Sequence, residues 1–292
     1  MLGCSIYKTL SARFNIAGLD LELPTKGNPA PSQFIKCDIT ARDDVERALE
    51  DTKPDIVIHA AAWADVDGCE MDPSRAELIN VRGTDNIVYA SKKIKATLVY
   101  ISTDFVFNGK DKRPYSEKDE PLPVNVYART KLEGEKKVSA LDRFVILRTS
   151  WLYGDCGKNF VDTVLTIAKS KQELKIVDDQ VGTPTFTGDF SCGIEKMIDL
   201  IPLYSDKGID SLWGVYHLSN KGSVSWFEYA KEILDISQIR DVKLIAISSA
   251  ELNRPAERPS YSVLDNSKFE TITAFKMRPW QEALKEYLHE KE

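Results

Sequence analysis

The stretch Ile56-Val57-Ile58-His59-Ala60-Ala61-Ala62 decides the fold. It is apolar at consecutive positions and so offers hydrocarbon to both sides, which suits a central strand of a parallel sheet better than a half-exposed one. Upstream, Pro54 stops a helix whose first turn holds Asp43 and Asp44, whose apolar face holds Val45 and Leu49, and which Thr40 is placed to cap. Before that helix, Phe34 to Cys37 reads as a strand followed by Asp38, and Phe14 to Leu19 as a strand ending at Asp20. Residues 4–13 read as a helix with Ile6 and Leu10 on one face. Downstream come a helix from about Pro73 to Lys93, a strand from Thr97 to Ser102, a charged proline-rich loop, a helix from about Val124 to Val138 and a strand from Phe144 to Leu147. Strand and helix alternate throughout, which predicts an α/β fold with a doubly wound parallel sheet. After Arg148 the rhythm loosens, with helices near 158–169 and 188–200, a strand at Leu174 to Val177, and one more buried strand at Gly214 to Leu218. The expectation is a first domain over residues 1–150, recovering a strand near 214–218, and a smaller interleaved C-terminal domain over 151–292, the two meeting at a cleft.

Bulk composition excludes several classes. Lys and Arg total 39 against 45 for Asp and Glu, giving a net charge of −6, so the basic field that nucleic-acid binding requires is missing. The run Lys92-Lys93-Ile94-Lys95 reads as a solvated helix end. No apolar run approaches the roughly 18 to 20 residues of a membrane helix, so no membrane span is expected. The five cysteines, Cys4, Cys37, Cys69, Cys156 and Cys192, are widely spread and never paired as C-x-x-C, which suggests reduced thiols in a cytoplasm. The opening Met1-Leu2-Gly3-Cys4 has the look of a lipoprotein scar without the charged and apolar segment that would precede one, so neither signal peptide nor lipid anchor is expected. Three histidines without ligand spacing give no metal site.

The chemistry gathers at two places. In Tyr127-Ala128-Arg129-Thr130-Lys131 the phenol and the amine are four apart and project from one helix face. A tyrosine with an ordinary pKa of about 10 is a poor acid at neutral pH, and a nearby ammonium stabilises its phenolate and lowers that value. In Tyr100-Ile101-Ser102-Thr103-Asp104 an apolar strand ends in hydroxyls at the carboxyl edge of the sheet, where open α/β folds bind ligands. A hydroxyl there can donate to a carbonyl oxygen on which charge develops. Together these point to ketone reduction. His59, inside an apolar strand, reads as a satisfied buried imidazole rather than a catalyst; Trp151 fits either core or a substrate wall, and Arg258 either a solvated charge or a diphosphate partner.

These residues resemble the Rossmann-type extended short-chain dehydrogenase/reductases, and within them the dTDP-4-dehydrorhamnose reductases. The resemblance runs from Met1 to about Trp280. It is carried by Asp38, Ala60-Ala61-Ala62, Val66-Asp67 with Glu70, Asn80-Val81, Ser102-Thr103-Asp104-Phe105-Val106-Phe107, Asn125-Val126-Tyr127 with Lys131, and Arg148-Thr149-Ser150-Trp151. Further on come Asp179-Gln180-Val181-Gly182-Thr183-Pro184-Thr185, Tyr216-His217-Leu218 and Arg258-Pro259. It implies that Thr103, Tyr127 and Lys131 form the catalytic set, with Lys131 also holding the nicotinamide ribose. It further implies a dinucleotide-binding domain over 1–150 and a substrate-binding domain over 151–292, and a cofactor that is NADP or NAD. Leu2 and Gly3 would meet the pyrophosphate, Asp20 the adenosine ribose, Asp38 and Ile39 the adenine, and Ala60, Ala61 and Ala62 would line the groove. Asp20 would favour NAD by binding the ribose 2′-hydroxyl. Val66, Thr103, Asp104, Tyr127, Trp151, Gln180 and Arg258 would face a dTDP-sugar. The implied reaction is reduction of the C4 keto group of dTDP-4-dehydro-L-rhamnose. Other nucleotide-sugar reductases or epimerases share the pattern, as does the non-catalytic regulatory subunit of methionine adenosyltransferase. A homodimer is allowed; the metal that joins some family dimers through a glutamate of the first helix is not expected, because Cys4-Ser5-Ile6 stands in that place.

The chain departs from the family at its start. Met1-Leu2-Gly3 matches only the last three residues of the glycine-rich turn, so the first strand is missing. That strand would sit mid-sheet, and without it the neighbours would stand roughly 9 to 10 Å apart, two strand spacings, or re-pair. The reading is that Met1 is an internal methionine of a longer natural chain, and that the short form would bind cofactor weakly.

Overall fold

The computed structural model describes residues 1–24, 28–205 and 212–291. Helix α1 (Leu2–Leu10) leads to β1 (Ala17–Asp20), β2 (Gln33–Lys36), α2 (Arg42–Thr52), β3 (Ile56–His59) and a short α3 (Val66–Met71). Next, α4 (Pro73–Ala76) passes through a π-helical stretch, Glu77–Gly83, into α5 (Thr84–Ile94), followed by β4 (Thr97–Thr103), α6 (Val126–Val138) and β5 (Phe144–Thr149). The remainder comprises β6 (Leu152–Tyr153), α7 (Phe160–Ala168), β7 (Glu173–Val177), β8 (Val181–Gly182), β9 (Thr185–Phe186), α8 (Thr187–Ser205) and β10 (Gly214–His217). It closes with β11 (Val224–Ser225), α9 (Trp226–Ile236), β12 (Lys243–Ile247), α10 (Ser249–Leu252), α11 (Ser267–Thr273) and α12 (Trp280–His289).

The main sheet is parallel in the order β10-β5-β4-β3, and β1 and β2 form a separate parallel pair. β4 carries the fold. All of its residues are buried, and its side chains alternate between two cores as the two-residue period of a strand requires. Leu98 and Tyr100 face Val45, Ala48 and Leu49 of α2, Ile87 and Ala90 of α5 and Val138 of α6. Val99 and Ile101 face Ile6 and Leu10 of α1, Phe190, Ile194 and Met197 of α8, and Phe269 of α11. A sheet covered on both faces has no polar side, which is why these strands read as unbroken apolar runs. A third core, built from Tyr153, Val161, Leu174, Tyr229, Trp280 and Tyr287, lies wholly within residues 151–291.

Three expectations need correction. β3 is not central: it pairs with β4 alone and stands at the edge of the four-stranded sheet, so Ile56, Val57 and Ile58 are only half buried. Among the described residues no strand joins β3 to the β1–β2 pair, and an apolar run reveals two-sided covering by helices but not whether both edges are paired. Thr40 does not cap α2. The helix begins at Arg42 with no side-chain cap, and the Thr40 hydroxyl instead donates to Asp38 Oδ1 at 2.8 Å, as does its amide at 2.9 Å, closing an Asx turn at the end of β2. Nor are all five thiols reduced. Cys4 and Cys156 are disulfide-bonded across a separation of 152 residues, while Cys37, Cys69 and Cys192 are free. The loop after β6 lies against α1, with Lys8 Nζ 2.9 Å from Asp155, a long-range approach that cysteine spacing does not encode.

Helix α6 approaches β4 so closely that Gly134 has no room for a side chain. A methyl group there would overlap the fully buried Tyr100 hydroxyl and stand 3.2 Å from the Asn80 carbonyl. Gly134→Ala is therefore expected to destabilise the fold by about 1–3 kcal/mol, the usual cost of overpacking. A lowered denaturant midpoint would show it, and an unchanged midpoint would refute the close approach.

Candidate active site

Thr103 ends β4 at its carboxyl edge and is 6% exposed. Its Oγ1 accepts from the Phe105 amide at 3.2 Å and donates to Asp104 Oδ1 at 3.1 Å, which fixes the hydroxyl at the strand terminus. The Tyr127 phenol lies beside Thr103, close enough for the threonine hydroxyl to oppose the effect of burial on its pKa. Tyr127 lies in the first turn of α6, and that turn is tied down twice. Asn125 Oδ1 accepts from the Ala128 amide at 2.8 Å, and Glu70 of α3 accepts from the Val126 amide at 2.9 Å. Both satisfy helix donors that would otherwise lack partners. Asn80, in the π-helical stretch, holds the same helix by donating to Thr130 Oγ1 at 3.0 Å.

Lys131 is 3% exposed. Its ammonium donates to the Ile101 carbonyl at 2.7 Å and sits 4.0 Å from the centre of the Tyr100 ring. One of its three protons is thus used, and two are left for other acceptors. Burial pulls its pKa down to about 7, opposed by the charge of Glu135. Burial likewise raises the Tyr127 phenol, against the Thr103 hydroxyl. Burial pushes Asp104 up to about 7, against hydrogen bonds from Ser262 and Thr103. His59 behaves as a satisfied core residue. It is 3.0 Å from Thr84 Oγ1, and burial, with Lys131 adding to it, lowers its pKa to about 3, so it stays neutral.

Of the expected cofactor residues, Asp20 is exposed at the carboxyl end of β1, and Ala61 and Ala62 are exposed beyond β3. Ile39 packs against Gly83, and Asn86 donates to its carbonyl at 2.9 Å. Leu2 and Gly3 open α1, whose first turn carries no acidic side chain. On the expected substrate side two groups form. Arg258 donates to Asp67 Oδ1 at 2.6 Å, directly beside Val66, so it is not a solvated charge. Although burial works the other way, Arg258 and Arg254 hold the Asp67 carboxyl below its usual range. In the second group, Trp151 has a left-handed backbone (φ 44°), stacks on Trp226 at 3.5 Å and covers Gly182, the residue two beyond Gln180. Gln180 itself donates to Ser249 Oγ at 2.8 Å. The segment after Arg258 ties the site together, with Ser260 accepting from the Val181 amide at 2.9 Å and donating to the Gly109 carbonyl at 2.8 Å.

The family model described as the RmlD substrate binding domain matches residues 1–292. The chain belongs to that family. A spore coat polysaccharide biosynthesis protein, SpsK, of Bacillus subtilis is 38% identical over 254 residues, covering 87% of this chain and 85% of the relative. Among solved structures, a dTDP-4-dehydrorhamnose reductase from Clostridium acetobutylicum is 39% identical with a TM-score of 0.84, covering 99% of this chain and 95% of its own. One from Bacillus anthracis, in complex with NADP, is 35% identical with a TM-score of 0.84, covering 98% and 95%.

The residues present fit a nicotinamide dinucleotide. Gly3 has nothing within 4 Å of where a Cβ would stand, which leaves the start of α1 open to close approach. The exposed Ala61 and Ala62, the exposed Asp20 and the two remaining protons of Lys131 lie at the carboxyl side of the parallel strands, where such ligands bind. Sequence reading missed the supporting residues. Glu70 and Asn80 stood in the resemblance without a role, and Glu135 and Ser102 were not singled out as partners. The signal for Glu135 was its place four residues after Lys131, one more turn along the same helix face.

Asp104 has a further consequence. Its folded pKa lies above its unfolded value, so the folded state favours the protonated acid, and stability is lost as pH rises from the ordinary carboxylate range towards about 7. Asp104→Asn removes that dependence. The variant should gain stability relative to the parent between about pH 4 and pH 7; thermal melts showing a constant difference across that range would contradict the buried acid.

Proposed function

We propose that this chain is an NAD(P)H-dependent oxidoreductase that reduces the C4 keto group of dTDP-4-dehydro-L-rhamnose to give dTDP-L-rhamnose. The observation that carries the reading is the placing of Thr103, at the carboxyl edge of β4, beside Tyr127, one turn before a buried Lys131 on α6. The substrate comes from the relatives, two of whose solved structures are dTDP-4-dehydrorhamnose reductases at 35% and 39% identity over nearly the whole chain.

A nicotinamide held with its ribose on Lys131 would supply the hydride that the carbonyl carbon takes up. Everything else falls to the protein. Thr103 hydrogen-bonds the carbonyl oxygen and orients it, and Tyr127 donates the proton that the developing alkoxide takes up. The Lys131 ammonium offsets the negative charge left on the tyrosine oxygen and, with its free protons, holds the ribose. That help matters because burial alone makes Tyr127 a weaker acid than an ordinary phenol. Trp151 walls the sugar, and Val66, Gln180 and Arg258 face the nucleotide, Arg258 exchanging part of its bond to Asp67 for the diphosphate.

The test is NADPH oxidation in the presence of enzymatically generated dTDP-4-keto sugar. Tyr127→Phe is expected to lose roughly two to four orders of magnitude in kcat, the range for a general acid, while cofactor affinity changes little. Turnover equal to that of the parent would refute the assignment.

A further inference from the structure

Four Asp, Glu, Lys or Arg side chains are buried among the described residues: Asp104, Lys131, Glu135 and Arg148. Two belong to the site proposed above. The other two form a bidentate ion pair beneath it, with Arg148 Nε 2.9 Å and Nη2 2.7 Å from the Glu135 carboxylate. Each partner is 4% exposed. The pair does not stand alone. Ser102 donates to Glu135 Oε1 at 2.5 Å, while Lys131 donates to the carbonyl of the adjacent Ile101. Two consecutive residues of β4 thus receive two consecutive turns of α6. Arg148 also lies 5.2 Å from the centre of the Phe107 ring, and its Nη1 has no hydrogen-bond partner.

We propose that Glu135 is a positioning residue for the reduction, acting through Lys131: one turn further along α6 and anchored to β4 by Ser102, its carboxylate supplies the negative charge that opposes loss of the lysine's proton and seats its helix on the strand. The inference rests on the reductase reading above. The argument is one of charge. An arginine keeps its proton under all ordinary conditions, so Arg148 contributes a fixed positive charge. The other titratable groups around Lys131 offer no dependable anion. The Tyr100 ring and the Tyr127 phenol are neutral, His59 is neutral against Tyr100, and Asp104, reached through Thr103, is an acid that burial has raised. Glu135 is what remains. Without its charge, two buried cations would share one low-dielectric neighbourhood, and the lysine, which can release its proton, would do so. A neutral Lys131 cannot offset a phenolate.

Two variants separate this role from mere scaffolding. Glu135→Gln keeps the shape and an acceptor for Ser102 but removes the charge. Arg148→Met removes the competing cation and leaves the carboxylate. The readout is the pH titration of the Lys131 Cε resonance in protein carrying 13C-labelled lysine, assigned by its loss in Lys131→Arg, with the pH profile of kcat/KM alongside. In Glu135→Gln the lysine should titrate at least about one unit lower, and the alkaline limb of kcat/KM should follow, a loss of roughly tenfold on that side. In Arg148→Met both should move upward. A structural role would depress activity at every pH in both variants and leave the lysine titration in place, and that result would overturn the inference. If the parent fails to reduce the dTDP-keto sugar, the reductase reading falls by itself, because the resonance still reports whether Glu135 governs Lys131.

Discussion

Everything in the site depends on how one helix is laid on one strand. Helix α6 meets β4 at a glycine, Gly134, and the contact places Tyr127, Lys131 and Glu135, four residues apart in turn, along the line where the strand ends. The strand can accept that helix because it is apolar on both faces and buried throughout, so its position is fixed from two sides by separate cores. A site formed by a loop would need its own restraints. Here the hydroxyl of Thr103 and the phenol of Tyr127 meet because two regular elements are packed without slack.

Burial gives the site its character and makes its supporting contacts necessary. Polar groups brought out of water need partners, and around α6 the structure supplies many of them: Asn125 and Glu70 for the free amides of the helix, Asn80 for Thr130, Ser102 and Arg148 for Glu135. The same loss of water raises a phenol and a carboxyl and lowers an amine within a few residues of one another. Groups whose ordinary pKa values span the scale are thereby drawn out of their usual order, the condition under which proton transfer near neutrality becomes feasible.

Much of this was legible in the sequence, for reasons that differ from residue to residue. The runs Ile56 to His59 and Thr97 to Ser102 show covering on both faces, because periodicity records burial directly, although Ala61 and Ala62, equally apolar, lie exposed beyond the strand. Tyr127 and Lys131 were legible because a helix turns spacing into direction. The edge position of β3 was not, since pairing depends on strands distant in the chain, and the same holds for the Cys4–Cys156 bond and for Asp67 with Arg258, 191 residues apart. Thr40 looked like a helix cap by type, yet Asp38 captured its hydroxyl first, and one-dimensional pattern cannot rank two such competitors.

The return of β10 to the main sheet has a bearing on how the chain is made. Gly214 to His217 pair with β5, which ends at Thr149, after more than sixty intervening residues have formed α7, α8 and the small strands around them. As the polypeptide leaves the ribosome, the sheet can acquire β3, β4 and β5 in order, but the β5 edge stays bare until about three-quarters of the chain has emerged. For that interval the nascent protein presents an unpaired strand to its surroundings. Its vulnerability to aggregation falls between the emergence of β5 and that of β10, midway through synthesis, and a chaperone that shields β5 would be needed most in that interval.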